Sequence, residues 1–101
     1  MPRFASFRDA DGKFRFRLLS AEGEQLLLSL AFADPKAAGA LQQRIGRLGA
    51  TDAVLQMKEL GMTLDVDGET VAESPDYADA SARDEALRRL REALGQLAAK
   101  A

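Results

Sequence analysis

The chain carries one pattern twice. Gly23-Glu24, Ser29, Phe32, Ala33 and Asp34 return in the same order as Gly68-Glu69, Ser74, Tyr77, Ala78 and Asp79, each set standing just ahead of a helical pattern. An internal repeat is a strong constraint, because each unit must bury its apolar face and the other copy is the nearest surface available. A single copy of about 45 to 50 residues lies near the lower limit of independent stability, whereas the pooled chain can bury roughly two-thirds of its unfolded surface. The expectation is one compact domain over residues 1–101, made of a first copy at 4–49 and a second at 51–99.

Within the first copy, Phe14, Phe16 and Leu18 alternate with Lys13, Arg15 and Arg17. That is the period-two mark of a strand with one buried and one wet face. Phe4 to Arg8 precedes it across Asp9-Ala10-Asp11-Gly12, and Glu24 to Leu30 follows across Ala21-Glu22-Gly23, so three strands in a meander are expected. Asp34 then serves as N-cap with Pro35 at the first helical position, where its missing N–H is harmless. Ala37, Leu41, Ile45 and Leu48 form the apolar stripe of that helix, and Gly49 suits the left-handed C′ position.

The second copy spells the same order more loosely. Val54 to Lys58, Met62 to Val66 and Glu69 to Glu73 read as strands, the last two joined by Asp67-Gly68, which favours a type I′ turn. The final helix begins near Asp79 or Ser81, with Ser81 and Asp84 spaced as a capping box, and Leu87, Leu90, Leu94 and Leu97 form its stripe. The fold class expected is α+β: tandem β-β-β-α units forming a pseudo-twofold antiparallel sheet covered on one face by two helices.

The run Gly12-Lys13-Phe14-Arg15-Phe16-Arg17-Leu18, then Gly23-Glu24, a short apolar strand, and an aromatic ahead of Ala33-Asp34-Pro35-Lys36 resembles the YegP-like family of small bacterial proteins. The resemblance covers about residues 4 to 98 and is sharper in the first copy. It implies a duplicated domain of unknown function, with no catalytic residues to carry over. The second copy departs from the pattern: Met62-Thr63-Leu64 stands in place of Phe14-Arg15-Phe16, and Pro75 follows its third strand.

Composition narrows the chemistry. Cys and His are both absent, which removes thiol nucleophiles, disulfides, imidazole bases and the usual zinc ligands. The start Met1-Pro2-Arg3-Phe4 leads into a charged segment and does not read as a signal peptide, and the most apolar stretch, Leu26 to Ala33, is far short of the roughly twenty residues of a membrane span. A soluble cytoplasmic protein is expected. Residues 1–50 carry eight Lys/Arg against five Asp/Glu, and residues 51–101 carry six against eleven, so the halves differ in sign at +3 and −5.

Other polar groups read as structural. Asp9-x-Asp11-Gly12 and Asp65-x-Asp67-Gly68 resemble calcium loops only in their openings and suit turns better. Ser29 and Ser74 end strands, where a hydroxyl satisfies backbone, and Phe32 and Tyr77 read as core anchors. The carboxylate pairs Asp84-Glu85 and Asp76-Asp79 support a helix start.

These residues fit an interaction or structural module with no catalytic, cofactor or metal site, monomeric or else dimeric through an edge strand such as Phe4 to Arg8. The candidate partner surface is Arg8, Lys13, Arg15 and Arg17 on a basic sheet face. A protein partner is the first expectation and a polyanion such as nucleic acid the alternative. A third reading is a small enzyme without histidine, which would need a pocket of convergent polar groups.

Overall fold

A computed structural model describes residues 1–52 and 54–100, and the side chains of 1–49 and 54–100. Eight elements follow in order: β1 (Arg3–Arg8), β2 (Phe14–Leu19), β3 (Gln25–Ser29), α1 (Pro35–Asp52), β4 (Val54–Lys58), β5 (Gly61–Val66), β6 (Glu69–Glu73) and α2 (Ala80–Lys100). All six strands join one antiparallel sheet in the order β1-β2-β3-β6-β5-β4. The two meanders therefore meet at its centre through β3 and β6, where Leu28 faces Glu73 and Ser29 faces Ala72.

Alternation along each strand sorts the side chains. Phe16 and Leu18 of β2, Met62, Leu64 and Val66 of β5 and Ala72 of β6 are buried, and all but Val66 share one core with Ile45 of α1 and Ala86, Leu90 and Leu94 of α2. Phe4 packs edge-on against Phe16 at 5.3 Å between ring centroids. The helices thus cover one face of the sheet, and the other is open.

Turns and caps use the residues their backbone demands. Asp67 and Gly68 both have positive φ, at 54° and 81°, as a type I′ turn requires. Asp9 organises the β1–β2 loop: its Oδ1 accepts the amides of Asp11 and Lys13 at 3.0 and 2.9 Å. Asp79 caps α2 by accepting the Ala82 amide at 2.8 Å. The expected Ser81/Asp84 box does not form, because Ser81 already lies inside the helix and Asp84 binds the neighbouring Arg83.

Two expectations for α1 change. Ala38 is buried and Ala37 exposed, so the stripe starts one residue later than expected, while Ile45 is buried and Leu41 packs against the core as expected. Gly49 does take positive φ, but its ψ is −156° and helical backbone resumes to Asp52 instead of ending there. Glycine suits this position on a second count, close contact with α2: a Cβ at Gly49 would stand 2.7 Å from the Cβ of Ala98. The expected start of the second copy at Thr51 falls where side chains lie outside the described set.

Ser29, the last residue of β3, and Ser74, one residue past the end of β6, make matching hydrogen bonds. Ser29 Oγ accepts the Phe16 amide at 2.9 Å and donates to the Leu30 carbonyl at 2.8 Å. Ser74 Oγ accepts the Met62 amide at 2.8 Å and donates to the Pro75 carbonyl at 2.8 Å. Beyond them, Phe32 pairs its backbone with Phe14, and the Tyr77 amide donates to the Leu60 carbonyl. Both rings pack against the core, as expected of anchors.

Candidate nucleic-acid interface

The open sheet face is built by register. Pairing of Ala5 with Arg17, Phe7 with Arg15 and Arg3 with Leu19 puts all six of these side chains on the face away from the helices. Leu28, opposite Arg17 on β3, joins them, and Leu30, 46% exposed, follows it at the strand end. The β1–β3 half of this face is therefore apolar and basic. Its other half carries Asp65 and Glu73 from β5 and β6, so the opposite charges of the two halves of the chain lie side by side on one surface.

Two of the four expected surface residues stand together. Arg17 places its guanidinium carbon over the Phe7 ring, 4.0 Å from the centroid, a cation–π contact. Arg15 is held by Asp9, with Nε 2.8 Å from Oδ2, and its NH1 reaches the Ser29 carbonyl at 3.4 Å. This hydrogen bond from Arg15, followed by the Lys13 amide, holds the Asp9 carboxyl below the usual carboxylate range. Arg15 also borders a shallow cleft of 220 Å³ lined by Leu28, Leu30, Glu73 and Pro75.

Of the other two, Arg8 leaves this face. Arg8 pairs across the strands with Phe14, so it lies on the helix face, with its guanidinium carbon 5.2 Å from the Phe14 centroid and its Nε on the Gly12 carbonyl. There it borders a second cleft with Ser6, Ala38 and Gln42. Lys13 is exposed in the β1–β2 loop, one residue before β2. Sequence reasoning missed Arg3 and Phe7. The signal was the alternation of Phe4 to Arg8, which becomes informative only once Arg8 is known to pair with Phe14.

Away from this face, polar side chains hold the fold together. Arg89 of α2 forks onto both carboxylate oxygens of Glu24 at 2.9 Å each, tying the last helix to the start of β3. Tyr77 is close to this pair, and burial, then the charge of Glu24, pushes its hydroxyl above the ordinary tyrosine range. Asp84 and Glu85 are paired with arginines of their own helix. Among the described residues no helix is long and apolar enough to cross a membrane.

Known structures share this arrangement. YegP of E. coli, a protein of unknown function, superposes with a TM-score of 0.80 over 92% of this chain and 85% of its own, at 18% identity. The chain has the YegP-like fold. A UPF0339 protein of Shewanella oneidensis also shares it, with a TM-score of 0.78 over 93% of this chain and 85% of its own, at 15% identity. The resemblance read from the strand and turn residues thus holds for the YegP-like fold, whose relatives carry no stated activity.

Sequence similarity points elsewhere. The tryptophan–tRNA ligase of Pseudomonas aeruginosa is 59% identical over 92 residues, covering 91% of this chain and 20% of the ligase. That of Bordetella pertussis is 52% identical over 97 residues, covering 96% of this chain and 22% of the ligase. The chain spans about a fifth of the length of the curated relatives it matches. No protein-family model matches it.

Proposed function

We propose that this chain is a non-catalytic, tRNA-contacting accessory module of a tryptophan–tRNA ligase. The observation that carries this reading is the identity of 59% along nearly the whole of this chain to a segment that makes up a fifth of such a ligase. A segment of YegP-like fold within a ligase is a unit added to the machinery that joins tryptophan to tRNA. Its polar side chains are spent on holding the fold: Ser29, Ser74, Asp9, Asp79 and Glu24 each satisfy backbone or a fixed arginine. What it offers outward is a sheet face, which suits binding better than chemistry.

Within this reading the module is a fused duplicate with pseudo-twofold symmetry. Three observations support it: the matching serine bonds, the matching Phe32 and Tyr77 anchors, and irregular pairing after Leu18 in β2 and after Leu64 in β5. On this correspondence Met62 stands for Phe16, two residues away from the match of Met62 with Phe14 expected from sequence. Its partners are the tRNA and the remainder of the ligase, in the cytoplasm. Val54, Met57 and Leu60, exposed along and just beyond the edge strand β4, offer the ligase an apolar contact.

Deletion of the matching segment from the P. aeruginosa ligase tests the reading. KM for tRNA should rise while KM for tryptophan stays unchanged. An unchanged KM for tRNA would remove the proposal.

A further inference from the structure

We infer that the open face of β1 to β3 binds an unpaired segment of tRNA, with the Arg17–Phe7 pair as the base platform and Arg3 and Arg15 as phosphate contacts. This rests on the module reading above and names the surface that reading requires.

Three features favour RNA as the occupant. The first is charge: Arg3 and Arg17 project from adjacent strands and form no ion pair among the described residues, while Arg15, paired with Asp9, adds guanidinium N–H donors but no net charge. Phosphates on such a surface displace counterions, which drives binding at low salt. The second is the Arg17–Phe7 contact itself. The guanidinium carbon sits over the ring at 4.0 Å, half-buried Arg17 keeps part of its surface open to solvent, and bases stack on arginine planes as they do on aromatic ones. The third is the apolar floor of Ala5, Leu28 and Leu30 beside that contact, which accepts base faces that water solvates poorly.

The same surface says why the segment is unpaired and where it stops. Duplex RNA buries its base faces within the stack, so a platform of this kind selects strands whose bases can splay out. Glu73 on β6 and Asp65 on β5 share the open face and repel phosphates, so the strand runs over β1 to β3 and ends at the sheet centre. Phe14 and Phe16, the aromatics most evident in the sequence, take no part, because the register turns them to the helices.

The test is binding of the purified chain to a labelled tryptophan tRNA and to a single-stranded RNA of about eight nucleotides, a length within the range such surfaces hold. Fluorescence anisotropy is read at several salt concentrations. Arg17→Glu should weaken both complexes at least about tenfold and make the salt dependence shallower by about one unit. Phe7→Leu, which keeps an apolar side chain, should weaken them severalfold with the salt slope unchanged. Arg91→Glu on the exposed side of α2 makes the same change of charge and should leave affinity close to wild type. Circular dichroism and thermal melting of each variant separate lost binding from lost folding.

Equal losses for Arg17→Glu and Arg91→Glu, or equal affinity for duplex and single-stranded RNA, would overturn the assignment. So would absence of RNA binding by the wild-type chain at low salt. The module reading stands or falls separately, on KM for tRNA in the ligase with its segment deleted.

Discussion

Ser29 Oγ accepts the Phe16 amide at 2.9 Å while the strand that carries it is still paired, so a side chain completes the hydrogen bonding of a neighbouring strand. Ser29 is 2% exposed, and water cannot take its place. Ser29→Ala should therefore cost about 1 to 3 kcal/mol, the penalty of an unsatisfied buried amide. Ser74→Ala should cost less, because Ser74 is only half-buried. Urea denaturation of the two variants gives the comparison, and equal losses would contradict it.

Glycine substitutions should split by position. Gly49→Ala meets both positive φ and the Cβ of Ala98 at 2.7 Å, and should destabilise by more than about 1 kcal/mol. Gly95→Ala meets nothing within 4 Å in the interior of α2, and should stabilise by about 0.5 to 1 kcal/mol. Opposite shifts in melting temperature are the expected result.

Asp9 gives an acid limb. Its carboxyl is held below the ordinary value by the Arg15 hydrogen bond and then by the Lys13 amide. A carboxylate with a depressed native value stabilises the fold fully above its unfolded value, near 4, and that contribution fades as pH falls through the native one. Asp9→Asn should flatten stability against pH in this acid range and leave the slope near neutrality unchanged. Melting temperatures from about pH 2 to 7 cover the window.

Tyr77 gives an alkaline counterpart with a clean readout, since it is the single tyrosine in the chain. Burial and then Glu24 raise its hydroxyl above about 10, so the native state keeps the proton longer than the unfolded one. Stability from this group is full below the unfolded value and is lost as pH rises through the native one. Absorbance titration should place the midpoint above that of free tyrosine, and Glu24→Gln should bring it down.

The Glu24–Arg89 fork should contribute little despite its geometry. Both side chains are more than a third exposed, at 39% and 35%, so water and salt screen the pair. Glu24→Gln should cost about 0.5 to 1 kcal/mol at low salt and less at high salt. A loss unaffected by salt would show that shape, not charge, is what Glu24 supplies.

Much of this was legible locally. Asp34-Pro35, Asp67-Gly68, Ser29 and Ser74 act where the sequence put them, because caps, tight turns and strand ends are set by a few adjacent residues. Ala37 and Ala38 could not be told apart that way. In an Ala-rich helix either can line the stripe, and docking against β2 and α2 chose Ala38. Ser81 and Asp79 are both fit to cap a helix; the chain leaving the Tyr77–Leu60 bond reaches helical geometry at Ala80, which hands the role to Asp79.

The basic surface shows the limit most clearly. Alternation in Phe14 to Leu18 separates Arg15 and Arg17 from the aromatics of their own strand, and that much needs no partner. Whether Arg8 or Phe7 accompanies them depends on which residue of β1 stands opposite which residue of β2. A shift of one residue would exchange the two. The sequence by itself determined the order of elements, their turns and the two faces of each strand, since these follow from local backbone preference and periodicity. Only the tertiary structure decided which faces combine. It set Arg17 on Phe7, sent Arg8 to the helix side and brought the acidic half against the basic one through β3 and β6, because strand register and sheet order are fixed by long-range packing.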